Sequence, residues 1–339
     1  MKDRLLNSSN ENPFEEINPA EETQNYLTGW WEKKNRNITA AAVAGMIGIG
    51  ALYFNVQSVL ITVFVLVYKI FVHVEVHADN FLDRMRAITS ELKPPLIVAL
   101  VISQYVFMLL PTLWITKKWH TPKIGKYLRI KFYSFKEIIL AVLITVSFIP
   151  ACNYITYILV KALKIPDVFT DIGSELFTAH SGGEFLILVL VVAVTPAICE
   201  ELFFRGYIQR TFERKLGWKS FLLTGFLFGL FHMQPLGLIT LSLLGILFSF
   251  FYYRTKSIFT SSAAHFTNNF IAIGMLYFGS GSNELSEISD GGFPILWVII
   301  SLFIGIGLLM IFINVTRNND REKDEMGPPM GEATEILNV

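Results

Sequence analysis

Cysteine is almost missing from this chain: Cys152 and Cys199 are the only two among 339 residues, and both lie in apolar segments. That scarcity excludes a disulfide framework and a thiolate metal site. Cys199, beside Glu200, reads as a small buried apolar residue rather than a nucleophile. Charge is also sparse, at 17% of residues, and balanced, with 28 Lys+Arg against 28 Asp+Glu. Net charge therefore singles out no partner, and no nucleic-acid partner is expected. The polar residues 1–37 show no apolar core of the kind a cleavable signal peptide carries, and the chain ends in no cysteine-containing lipidation motif. There is no His-Glu-x-x-His pair. No internal repeat pairs two broken helices, as many transporters do.

What the chain has instead is hydrophobic length. It is 53% hydrophobic and 14% aromatic, with a mean hydropathy of +0.49. Runs near the ~20 residues needed to cross a bilayer recur along it. They predict an all-α, polytopic membrane protein of about eight transmembrane helices, over roughly 38–72, 94–116, 137–160, 184–212, 219–233, 236–253, 257–279 and 294–316. No soluble domain is expected. Residues 1–37 and 317–339 read as flexible tails flanking a membrane domain over 38–316.

The first run is long enough for two spans, and loop charges arbitrate. With one span, the basic groups fall on one side: Lys33, Lys34 and Arg36; the loop 117–136; Arg210, Arg214, Lys215 and Lys219; Arg254 and Lys256; Arg317 and Arg321. The opposite loops carry Glu75, Asp79, Asp83, Glu91, Asp167, Asp171, Glu175, Glu284, Glu287 and Asp290. The positive-inside rule then predicts one long first helix and two cytoplasmic termini.

Against that apolar background, a few polar groups stand out. Glu200 and Glu201 sit inside the fourth run, where a carboxylate costs about 2.5–3.5 kcal/mol on the lenient insertion scale. Arg205 follows Glu201 at i+4, the favourable order for an ion pair, and Glu200 points about 100° away. Glu200 and His232 are each about sixteen residues from the turn near Gly217, so an antiparallel pair brings them to one depth, about 20 Å from that turn. His265 and Asn269, at i, i+4 on another run, reach a comparable layer. Phe228 shares a face with His232, and Pro196 is placed to bend the helix before Glu200. Carboxylate, imidazoles and carboxamide together point to water activation within a bilayer.

Glu-Glu-x-x-x-Arg (Glu200, Glu201, Arg205), Phe-x-x-x-His (Phe228, His232) and His-x-x-x-Asn (His265, Asn269), on successive spans, resemble the CAAX-protease and bacteriocin-processing family of intramembrane endopeptidases. That group, also called the Abi family, includes the type II CAAX prenyl endopeptidases. The resemblance covers about 184–280 and implies catalytic roles for all six polar residues. Glu200 would activate water, Glu201 and Arg205 would complete the motif, His232 would position the water, and His265 with Asn269 would stabilise the oxyanion. Asn268, beside Asn269, leaves an ambiguity that spacing resolves toward Asn269. The resemblance admits Zn²⁺ held by Glu200, His232 and His265, with a metal-free glutamate mechanism equally open. It implies a peptide or membrane-protein substrate, prenylated or not, and short loops like those of bacterial members point to the bacterial cytoplasmic membrane. Two other classes compete: a proton-coupled transporter, because relays use the same residue types, and a non-catalytic immunity or scaffold protein.

Overall fold

The structure, a computed structural model, describes residues 26–71, 81–164, 176–279 and 295–317, with backbone only for 81–87. His73, His77, Glu75, Asp79, the side chain of Asp83, Asp167, Asp171, Glu175, Glu284, Glu287, Asp290 and Arg321 lie outside it, as does most of each expected tail. The described residues are helical, with no strand among them. A one-turn helix α1 (Trp30–Lys33) precedes the bundle. The bundle comprises α2 (Ile38–Phe71), α3 (Ile88–His120, its helical backbone beginning at Phe81), α4 (Phe135–Ala162), α5 (Gly182–Leu216), α6 (Lys219–Phe231), α7 (Leu238–Thr255), α8 (Ile258–Gly279) and α9 (Ile295–Val315).

All eight apolar runs are helices, but they do not cross equally. Six are long and apolar enough to span a membrane, α6 and α8 being the exceptions among the described residues. α6 has 13 residues, about 20 Å at 1.5 Å per residue, short of a ~30 Å hydrocarbon core. The expected span over 219–233 is therefore a partial one, and α6 and α7 form a hairpin whose turn carries His232. α8 has 22 residues, but its early turns hold Thr260, Ser261, His265, Thr267, Asn268 and Asn269. The first run is a single helix of 34 residues, as the loop charges required.

Residues 26–37, expected to belong to a flexible tail, are instead docked on the bundle. Tyr26 is buried, the Gly29 amide donates to the His120 carbonyl at 2.8 Å, and Trp31 packs on Trp119 with ring centroids 4.8 Å apart. Glu32 takes both nitrogens of the Arg214 fork, at 2.5 and 3.0 Å, and Nδ1 of His120 at 2.6 Å. Polar composition predicted a tail because these partners are distant in sequence. Burial by itself raises the Glu32 pKa, but hydrogen bonds from His120 and Arg214 outweigh it and hold the carboxyl at about 2, below its ordinary 4.5. Its contribution is thus full above pH 4.5 and is lost as the pH falls toward 2. The expected result is a change in tryptophan emission, reporting release of Trp31 from Trp119, across that window in wild type and already at neutral pH in Glu32→Gln.

Besides a small apolar cluster around Leu188 and Ile273, two larger ones fill the described interior. One joins α2, α3, α5 and α6 around Tyr53, Phe203, Phe204, Tyr207 and Phe228; the other joins α4, α7, α8 and α9 around Phe248, Phe251, Ala264 and Phe312. α6 and α7 approach so closely that a Cβ on Gly225 would lie 2.3 Å from the Ile246 backbone nitrogen. Small residues at such crossings let two backbones touch. Gly225→Val is expected to cost on the order of 1–3 kcal/mol by overpacking, read as a lower unfolding temperature in detergent, and to displace His232 at the end of α6.

At one end of the bundle a second buried network ties three loops together. Glu213 accepts from both nitrogens of the Arg129 fork at 2.8 and 2.9 Å and from Lys256 at 2.6 Å. Arg129, Arg214 and Lys256, which the charge pattern of the loops placed on one side, thus gather at one end of the bundle, with His120 beside them.

Candidate active site within the membrane domain

α5 is not a uniform α-helix, and its irregularities frame the two glutamates. π-helical turns cover Val189–Val194 and Leu202–Gln209, with α-helical Thr195–Glu201 between them. Pro196 cannot donate a backbone hydrogen bond. The break is taken up by the first π segment, where the Thr195 hydroxyl donates to the Leu190 carbonyl at 2.9 Å. Where a bend is expected at Pro196, the structure shows π-helical widening, a feature that concentrates at functional sites.

The two neighbouring glutamates have different surroundings. Glu201 is fully buried, and its Oε1 accepts from Arg205 Nη1 at 2.6 Å and from His265 Nδ1 at 2.9 Å. Arg205, also fully buried, donates through Nη2 to the Gly245 carbonyl at 3.1 Å and lies 4.5 Å from the Phe228 ring centre. The pair joins the two apolar clusters, since Phe228 belongs to one and Gly245 to the helix of the other. His265 is sandwiched too, stacked on Phe248 and edge-on to Phe228.

Glu200 instead faces a cavity of about 680 Å³ lined by residues of α2, α3, α5, α6, α7 and α8. Its Oε1 accepts from Gln104 Nε2 at 2.9 Å. Its Oε2 has no hydrogen-bond partner and lies 3.9 Å from His232 Nε2. His232 Nδ1 is 2.7 Å from the Phe228 carbonyl. A carbonyl only accepts, so Nδ1 carries a proton, and in the neutral ring Nε2 is then an acceptor turned toward Glu200. The antiparallel arrangement that the spacing about Gly217 predicted is therefore realised.

Asn269 also lines the cavity, with its Nδ2 donating to Val192 at 2.8 Å and its Oδ1 accepting from Asn268 at 3.1 Å. An amide nitrogen has two hydrogens, so one on Asn269 is left for another acceptor. All six residues expected at the site are thus within one neighbourhood. Gln104 was not foreseen; the one signal for it was a carboxamide in an otherwise apolar run. As for a metal, among the described residues no three His, Cys, Asp or Glu are grouped so as to hold an ion. Glu200, His232 and His265 are not grouped in that way; the bonds at Nδ1 of both imidazoles leave each Nε2 as the nitrogen an ion would meet.

Residues 182–271 match the family model described as type II CAAX prenyl endopeptidase Rce1-like. No curated protein and no solved structure matches the chain. The matched segment contains Glu200, Glu201, Arg205, His232, His265 and Asn269 and excludes Gln104. The chain is a multi-pass, all-helical membrane protein that, over residues 182–271, is similar to the type II CAAX prenyl endopeptidase Rce1-like family.

Proposed function

We propose that the chain is an intramembrane endopeptidase in which Glu200 is the general base for a hydrolytic water. The observation that carries this reading is the facing pair of acceptors, Glu200 Oε2 and His232 Nε2, 3.9 Å apart at the wall of a cavity. A water donating to both at about 2.8 Å fits between them, and its lone pairs are then turned to the cavity. Attack on a peptide carbonyl passes one water proton to Glu200 and forms a C–O bond. The tetrahedral oxyanion is met by the spare Asn269 N–H and, in its protonated form, by Nε2–H of His265. Glu201 holds that imidazolium in place, and Arg205 holds Glu201. The C–N bond then breaks as protonated Glu200 returns its proton to the leaving amine.

The proposed mechanism has no metal step, and chelation tests this. Purified protein treated with a strong chelator and desalted is expected to keep its cleavage rate within about twofold, whereas activity through a bound ion falls by about tenfold or more on the same treatment. The basic end of the bundle is assigned to the cytoplasmic side by the positive-inside rule. Glu200 precedes Arg214 by fourteen residues, which puts it about 20 Å below that surface. Substrates are peptides or proteins carried in or on the membrane, prenylated or not.

A further inference from the structure

The lining of the cavity above Glu200 says what kind of peptide it takes, granted the hydrolytic reading on which this step rests. Its side-chain polar groups, besides Glu200, Tyr53 and the two imidazoles, are carboxamides: Gln57, Gln104, Gln234, Asn268 and Asn269. They come from α2, α3, the turn after α6, and α8. Among the described residues no Lys, Arg or Asp lines it. Arg205, in the next layer, is fully buried and committed to Glu201 and Gly245. A free carboxylate drawn into this space would lie near Glu200, with no Lys or Arg among the described lining residues to offset its lost hydration. A carboxamide offers both an acceptor and a donor, and so can meet both the N–H and the C=O of a peptide backbone.

One of these carboxamides is half used. Gln104 is 2% exposed, and its Nε2 donates to Glu200 Oε1 at 2.9 Å. Tyr53 interacts with the same side chain. Gln104 Oε1, buried at the cavity wall, has no hydrogen-bond partner. An unpartnered buried acceptor is costly, and an N–H brought in by a ligand satisfies it. Gln104 sits in a π-helical segment of α3, Ser103–Leu109, one of the widened turns that recur at functional sites.

We propose that the cavity binds an uncharged, unwound stretch of peptide backbone, and that Gln104 couples substrate to base. Its Oε1 accepts a backbone N–H of the substrate while its Nε2 fixes Glu200. The scissile bond is then chosen within a chain, without recognition of a terminal carboxylate, and the site is completed by a helix outside the matched residues 182–271.

The test uses the full chain in detergent and a fluorogenic apolar peptide that wild type cleaves and Glu200→Gln does not. Two forms of that peptide are compared, one ending in a carboxylate and the other in a carboxamide. The carboxamide form is expected to be cleaved as well or better. Gln104→Met, which conserves volume and removes both hydrogen bonds, is expected to raise KM and lower kcat, with kcat/KM down by about tenfold or more and thermal unfolding unchanged. If Gln104→Met fails to fold, Gln104→Asn, which withdraws the carboxamide by one methylene, is expected to change both constants in the same direction. A preference of about tenfold or more for the carboxylate form, or Gln104 variants within twofold of wild type, overturns the proposal. If no peptide distinguishes wild type from Glu200→Gln, the hydrolytic reading itself fails and takes this inference with it.

Discussion

Replacing Glu200 by Gln is expected to lower cleavage by about 10²–10⁴-fold, the usual contribution of a positioned base, with thermal unfolding unchanged. The substitution keeps shape and lets Gln104 Nε2 still donate to an oxygen at position 200, so the cavity wall is preserved. What is lost is the one carboxylate oxygen that has no protein partner and faces His232. His232→Ala is expected to lose less, because its Nε2 orients the water and Glu200 still takes the proton. Steady-state kinetics on purified protein would show the difference in kcat. A Glu200→Gln protein turning over at the wild-type rate contradicts the assignment outright.

Arg205→Met is expected to act first on the fold. It leaves the Glu201 carboxylate fully buried without its guanidinium partner, against His265 and Ser261, and strips the Gly245 carbonyl of its donor. Breaking a buried pair from one side typically costs about 3–5 kcal/mol, because the remaining charge stays desolvated. Unfolding in detergent should shift strongly downward, and cleavage should fall with it as Glu201, the anchor of His265, loses its own hold. Arg205→Lys keeps the charge without the planar fork, and is expected to fall between. The double variant Glu201→Gln/Arg205→Met should recover part of the stability, since both charges are then gone. Equal unfolding temperatures for wild type and Arg205→Met would show that the pair does not hold α5 to α7.

Much of the site was legible in the sequence because its key relations are local or symmetric about a turn. Glu201 and Arg205 pair at i, i+4, and His265 and Asn269 share a face of α8. Glu200 and His232 meet because each is about sixteen residues from the same turn. What escaped has no such local signature. Gln104 is 96 residues from the glutamate it holds, and nothing near it in the chain marks it out. The π-helical turns on either side of Thr195–Glu201 are invisible to a 3.6-residue wheel, which assumes an unbroken α-helix. α6 read as a span because its residues are apolar; its length is limited by the turn at His232–Gly237. The docking of Tyr26–Asn37 depends on Trp119, His120 and Arg214, partners that the composition of the segment does not reveal.

These elements converge on one claim, that Glu200 acts as base in peptide-bond hydrolysis within the membrane. The most direct test compares protein termini, by mass spectrometry, in cells carrying the wild-type chain and cells carrying Glu200→Gln at equal membrane levels. The account predicts new termini that depend on Glu200 and that lie in membrane-carried proteins. Identical sets of termini, with both proteins folded and inserted, would contradict it.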